Sequence, residues 1–175
     1  MGSLGTTIII KLDAFLDNVD WLVIKDFIEA GVQVIWGKYV QIPEEAVRYL
    51  YADQTMKPFY SSIVRSITIG TSLILVAVID DISRLRKIKG VPGISGIRGK
   101  YCLSKEALAS TGLSGENLED KVSENRIHTP DSLEETAIIL QMFFTDQEIK
   151  TIKLHPAFSF LEEFDRIIAL PKFSG

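Results

Sequence analysis

The apolar residues of this chain fall in short blocks, and the spacing inside each block separates strands from helices. Thr6 to Lys11 is a β-branched run stopped by Asp13, the pattern of a buried strand. Asn18 is placed to cap a helix carrying Trp21, Leu22, Ile24, Phe27 and Ile28, with Gly31 just past its end. A second strand is expected from Val32 to Ile42, where apolar and polar residues partly alternate. Pro43 opens a helix with Glu44 and Glu45 in its first turn, where the positive end of the dipole favours carboxylates. Pro58 opens another through Ile63, Val64 and Ile67, ending at Gly70, and Leu73 to Ile79 reads as a central strand.

Further along, Asp80 and Asp81 start a short basic helix, Ile82 to Lys89, and Gly90 to Gly99 is a glycine-rich loop. Ser104 to Lys121 is helical material broken by Gly112 and Gly115. A short strand, Arg126-Ile127-His128, leads into a helix with Asp131 or Ser132 as its cap. Glu134 and Glu135 lie in its first turn, and Leu133, Ala137, Leu140 and Phe144 form its apolar stripe. Thr145 to Gly175 reads as an irregular wrap ending in one short helix around Phe160 to Ile168. The order β-α-β-(α-α)-β-α-loop-β-α predicts an α/β sandwich of the α+β type: a four-stranded, mainly antiparallel sheet with helices on one face. A single domain is expected over residues 1–175, without internal repeats.

Composition narrows the class. With 175 residues, 46% hydrophobic and 24% charged, the chain can fill a real core and is too apolar for a disordered tail. A net charge of −4 makes it a poor general nucleic-acid binder. The single cysteine, Cys102, cannot form an internal disulfide, so a cytoplasmic location is expected. The run Leu73 to Ile79 is far shorter than the ~20 residues of a spanning helix, and Thr7-Ile8-Ile9-Ile10 lacks the basic flank of a signal peptide. Met1-Gly2 with Thr6 fits the loose myristoylation pattern, which is short enough to arise by chance. No membrane partner is expected.

Among residues that could do chemistry, His128 stands at a strand end just before a capped helix. An imidazole there is either a nucleophile or a structural hydrogen-bonding group. His155, in the tail, reads as a packing residue. Arg84, Arg86, Lys87, Lys89, Arg98 and Lys100 surround the glycine-rich loop of an otherwise acidic chain. Such a set either holds phosphate oxygens or forms a solvated helix face. The loop is not a P-loop, because Gly99-Lys100 is followed by Tyr101 and not by Ser or Thr. Lys11 closes the first strand, and Tyr51, Phe59 and Ile63 are either core or a binding surface.

In chain order these segments resemble the nucleoside diphosphate kinase family. Thr7-Ile8-Ile9-Ile10-Lys11-Leu12-Asp13-Ala14-Phe15 is similar to the family strand that ends in Lys-Pro-Asp-Gly. Tyr51 with Lys57-Pro58-Phe59-Tyr60 and Ile63 resembles its Tyr…Arg-Pro-Phe-Phe…Leu hairpin. Gly96-Ile97-Arg98-Gly99-Lys100-Tyr101 resembles Gly-Thr-Ile-Arg-Gly-Asp-Phe. Asn125-Arg126-Ile127-His128-Thr129-Pro130-Asp131-Ser132 resembles Asn-Ile-Ile-His-Gly-Ser-Asp-Ser, and Phe143-Phe144 supplies the aromatic pair at the end of the next helix. The likeness runs from about Thr6 to Phe144.

The resemblance implies a ferredoxin-like fold and ping-pong transfer of a γ-phosphoryl group from a nucleoside triphosphate to a diphosphate. By it, His128 carries the phosphoryl group, Arg98 and Arg86 hold phosphates, and Lys11 bridges ribose and transferring phosphate. Asn125 binds the sugar, Tyr51 sits beside the histidine, and Phe59 stacks on the base with Ile63 and Val122 completing an apolar slot. Mg²⁺ is implied, held through phosphate oxygens with few or no protein ligands, as is a homo-oligomer, hexameric or tetrameric. Several positions depart from the family pattern. Pro-Asp-Gly after the lysine has become Leu12-Asp13-Ala14, and the loop between Arg86 and Arg98 is short, with no match for a phosphate-binding threonine. The glutamate that orients the histidine maps to Ile139 and its serine partner to Pro130, so that supporting pair is expected to be missing. An insertion is expected at about 105–121 and an extension at 145–175. A weak or inactive nucleotide-binding module of the same fold is the alternative.

Overall fold

The central strand pair is built from sequence that is apolar at consecutive positions. β1 (Leu4–Ile10) and a second long strand (Thr71–Ile79) lie antiparallel, Leu4 opposite Ile79 and Ile10 opposite Leu73. In a computed structural model, which describes residues 2–164 and 172–173, the elements follow in order. β1 is followed by α1 (Leu12–Leu16), α2 (Asp20–Glu29), β2 (Gln33–Gln41), α3 (Glu44–Leu50) and α4 (Tyr60–Thr68). Next come β3 (Thr71–Ile79), α5 (Ile82–Lys89), α6 (Gly96–Tyr101), α7 (Lys105–Ser110) and α8 (Gly115–Ser123). β4 (Ile127–His128), α9 (Leu133–Phe143), α10 (Asp146–Lys153), a 3₁₀ turn (Pro156–Phe158) and α11 (Leu161–Phe164) complete the described chain. The sheet order is β2-β3-β1-β4, and all three pairings are antiparallel.

Helices cover both faces of this sheet, not one. Ile8, Ile10, Leu75 and Ile79 point to a core with Val23, Phe27, Leu85 and Ile97. Ile9, Ile74 and Val76 point to the other core, with Val47, Ile67, Leu140, Phe143 and Phe158. The reason is the alternation of side chains along a strand: a run apolar at every position leaves two hydrophobic faces, and each needs a cover.

Local differences from the sequence reading have local causes. Asn18 does not cap α2; it sits at φ 56°, in the left-handed region that Asn tolerates, and Val19 takes the cap position. The glycine-rich loop contracts to Gly90–Ser95, because Gly96 already begins α6. The expected irregular wrap contains α10, started by a complete capping box between Thr145 and Glu148. Phe158 from this region is fully buried, and a Cβ on Gly5 would come within 2.5 Å of its ring. The expected helix around Phe160 to Ile168 is seen as α11 up to Phe164, and the rest of that range lies outside the described residues. His155 does pack: its Nδ1 accepts a 3.2 Å hydrogen bond from the Ala157 amide at the start of the 3₁₀ turn. Among the described residues no helix is long and apolar enough to cross a membrane.

Candidate active site

β4 is a two-residue edge strand that pairs with the end of β1, Ile9 opposite His128. That pairing puts His128 and the residue after β1, Lys11, at the same end of the sheet. The approach to β4 is held by Asp13, in α1. Its Oδ2 accepts from the Arg126 amide at 2.8 Å, and the Arg126 guanidinium donates to the Asp13 carbonyl at 2.7 Å and pairs with Asp17. Arg126 is at φ 68°, a conformation a non-glycine residue adopts only when its surroundings fix it. The altered turn Leu12-Asp13-Ala14 therefore still aims Lys11 inward, where it is buried and donates to the Ser123 carbonyl.

The cavity at this end of the sheet has a volume of about 340 Å³. Lys11, Tyr51, Ile63, Arg98, Asn125 and His128 line it, which brings six of the expected site residues together. Phe59 and Val122 are half-buried and Arg86 is exposed, and none of the three lines the cavity. A larger groove of about 790 Å³ runs past Tyr39, Ile42, Thr71 and Phe173, but among the described residues the ionisable groups lining it are Tyr39 and Lys172. The converging charges belong to the smaller cavity.

The His128 ring is held from two sides. Its Nδ1 lies 2.9 Å from the Tyr51 hydroxyl, with the two rings edge-on at 5.3 Å. Its Nε2 lies 3.0 Å from Glu135 Oε1, a short contact without hydrogen-bond alignment. The second oxygen of Glu135 accepts from the Asp131 amide at 2.8 Å, and the Glu135 amide is capped by Ser132. Burial alone would raise the Glu135 pKa, but His128, the Asp131 amide and Lys89 outweigh it and hold the carboxyl below its ordinary value. The supporting pair expected to be missing is indeed not supplied at Ile139 or Pro130, and another group, Glu135, lies against the ring. Ile139 is fully buried in the core, and a glutamate one turn earlier on α9 stands at the ring instead. The available signal was Ser132-x-x-Glu135 at the helix start, read only as part of the first turn of a capped helix; the three-residue turn between β4 and the Ser132 cap folds that first helical turn back over His128.

The cations are constrained by burial. The Lys11 ammonium is lowered from 10.5 to about 8, first by burial and further by Arg98, against the opposing pull of Asp13. Arg98 donates to Asn125 Oδ1 at 2.9 Å and to the Ile127 carbonyl at 2.6 Å, and its buried Nε has no partner. Burial also pushes the Tyr51 phenol up. Sequence reasoning placed neither Asp53 nor Glu135 in the site and named Lys89 only within a basic set that either holds phosphate oxygens or forms a solvated helix face; all three line the cavity. Lys11, Lys89 and Arg98 line the cleft together with Asp53, Asp131, Glu135 and His128, so anion-binding groups and an imidazole share one half-enclosed space.

Solved structures and a family model resemble the chain over most of its length. A crystal structure of nucleoside diphosphate kinase from Encephalitozoon cuniculi superposes with a TM-score of 0.64 at 26% identity, covering 79% of this chain and 86% of that one. The enzyme of Borrelia burgdorferi, solved as a transition-state mimic with vanadate and ADP, gives a TM-score of 0.66 at 20% identity over 89% and 98% of the two chains. That of Halobacterium salinarum, in complex with CDP, gives 0.64 at 21% over 84% and 90%. The family model "Nucleoside diphosphate kinase" matches residues 5–149, which takes in the sheet, α9 and the whole cavity, and the chain therefore belongs to the nucleoside diphosphate kinase family.

Proposed function

We propose that this protein is a working nucleoside diphosphate kinase that carries the phosphoryl group on His128. The observation that carries the reading is the His128 ring held between Tyr51 and Glu135 inside a cleft lined by Lys11, Lys89 and Arg98. A carboxylate at Nε2 favours the proton on that nitrogen and leaves the lone pair on Nδ1. Nδ1 attacks the γ-phosphorus of a nucleoside triphosphate, the bond from phosphorus to the β,γ-bridging oxygen breaks, and the diphosphate leaves with that electron pair. A terminal oxygen of a second diphosphate then attacks the same phosphorus and the P–N bond breaks, returning the pair to Nδ1. The Tyr51 hydroxyl donates to Nδ1 at rest and gives way to the phosphoryl group during transfer.

In this reading Arg98 and Lys11 neutralise charge on the phosphate oxygens, and both exchange carbonyl contacts for phosphate contacts when nucleotide enters. Asn125, freed from Arg98, faces the sugar, and Ile63 offers the apolar wall; Phe59 and Val122 reach the base only at the outer lip of the cleft. The carboxylates of the cleft fit a Mg²⁺ held mainly by nucleotide phosphates. Among the described residues no group of three His, Cys, Asp or Glu is placed to ligate a metal, and Asp53 is the side chain that would face its water shell. When bound, Mg²⁺ supplies charge neutralisation on the phosphates. The domain is taken as one unit over residues 1–175, acting in the cytoplasm as a homo-oligomer.

The test is transfer from ATP to GDP, followed as GTP formation, with wild type and His128→Gln. Wild-type turnover abolished in the variant, with unchanged thermal stabilisation by ATP, supports the reading. A folded wild type that ATP stabilises but that forms no GTP makes the chain a binding module. One that ATP does not stabilise removes the nucleotide altogether.

A further inference from the structure

The helix α5 ends at the cleft, and the way it ends is unusual for a loop that must reach a phosphate. Gly90 follows Lys89 at φ 70°, and a Cβ there would come within 1.9 Å of the Ser95 carbonyl oxygen. Gly96 is equally close-fitting, with a Cβ position 2.5 Å from the Ile88 carbonyl. The short connection is locked further by the antiparallel bridge of Val91 with Ser95. It therefore folds back on the helix end and sends no side chain over the cavity: among the described residues the lining passes from Lys89 directly to Arg98. The Lys89 side chain is only 14% exposed, whereas Arg86, one turn earlier, points to solvent.

Lys89 is half-buried and only loosely paired. Among the described residues its ion pair is with Asp131, at 3.9 Å and itself 63% exposed. Burial first, and then Arg98, pull its pKa down against the opposing pull of Asp131 and Glu135, and Lys89 and Arg98 line the same cavity. An anion placed between Lys89 and Arg98 would be attracted by both. Lys89 lies on the His128 side of the cavity, through Asp131 and Glu135, which places that anion at the transferring end of a polyphosphate.

We infer that Lys89, and not Arg86, is the α5 residue that binds the distal phosphates of the nucleotide, in place of a loop side chain that the tight Gly90–Gly96 connection does not supply. This rests on the kinase reading above. A lysine at the C-terminal end of a helix gains from the dipole when the cleft is empty and transfers that charge to phosphate when it fills.

The experiment measures GTP formation and nucleotide affinity for wild type, Lys89→Met, Lys89→Arg and Arg86→Met, with exposed Lys87→Met as the control. A charge-assisted contact of this kind is worth about 10- to 100-fold in affinity. Lys89→Met is expected to raise KM for ATP by that factor and weaken ATP binding far more than AMP binding, with ligand-free Tm unchanged. Lys89→Arg is expected to recover most of the loss. If Arg86→Met produces this pattern and Lys89→Met does not, the assignment is overturned. A fall in ligand-free Tm with unchanged ATP and AMP affinities also overturns it, making Lys89 a partner of Asp131 only. Because both outcomes are read against a wild type that turns over, failure of the kinase reading itself appears separately, as a wild type that forms no GTP.

Discussion

Replacing Glu135 tests whether the histidine has found a new support. The Glu135 side chain is 23% exposed and that of His128 is 11%, so the pair is screened but not deeply buried. When Nδ1 is phosphorylated the ring keeps its Nε2 proton and becomes cationic, and the carboxylate 3.0 Å away then opposes that charge. A contact to a charged group contributes about 1.5–3 kcal/mol. The lower part of that range applies here, because at rest the oxygen lies off the hydrogen-bond axis. About 1.5–2 kcal/mol corresponds to a roughly 10- to 30-fold fall in the rate of His128 phosphorylation for Glu135→Gln. Glu135→Ala should fall further, since it also frees the ring and removes the contact to the Asp131 amide. Rapid-quench measurement of phosphoenzyme formation, with ATP affinity measured in parallel, separates the rate from binding. A Glu135→Gln enzyme with wild-type phosphorylation rate, or one whose loss lies wholly in affinity, refutes the argument.

Four further outcomes are expected. Lys11 holds its proton up to 10.5 when unfolded but only to about 8 when folded, so the unfolded chain binds more protons between those values and ligand-free stability should rise with pH across that window. In the same free enzyme kcat/KM for ATP should fall as pH passes upward through about 8, and Lys11→Arg should remove that limb; a flat wild-type profile contradicts it. Asp13→Asn leaves the 13% exposed Arg126 without its buried carboxylate and should cost toward the low end of ~3–5 kcal/mol, because Asp17 remains, read by chemical denaturation. Phe158→Ala should cost about 3–5 kcal/mol if the segment after α9 is part of the core, and a change near zero would make that segment an appendage.

What the sequence disclosed depended on how local each signal was. β3 was legible because Leu73 to Ile79 is uninterrupted, and α5 because Asp81 caps a basic, amphipathic stretch. α10 was hidden because only Ile149 and Ile152 of its residues are buried, too few to show a period, although its capping box was in plain view. The two-faced cover of the sheet was hidden for the opposite reason: Ile8, Ile9 and Ile10 are all apolar, so no alternation distinguishes the faces. In the site, His128, Lys11, Tyr51, Arg98 and Asn125 were legible by type and order and converge on one cavity. Glu135 was not, because counting along α9 leads to Ile139, whereas the turn Thr129-Pro130-Asp131 brings an earlier residue to the ring. Lys89 and Arg86 differ by three positions on one helix, and the structure brings Lys89, and not Arg86, to the lining of the cleft.

The central claim is a phosphohistidine on His128, and isolating it is the most direct measurement. The protein is incubated with γ-labelled ATP and Mg²⁺, freed of nucleotide, divided between acid and alkali, and chased with unlabelled GDP. A label that is acid-labile, stable to alkali, absent from His128→Gln and removed by GDP as labelled GTP is the expected result. A folded, ATP-binding protein that takes up no label, or whose label survives His128→Gln, contradicts the mechanism.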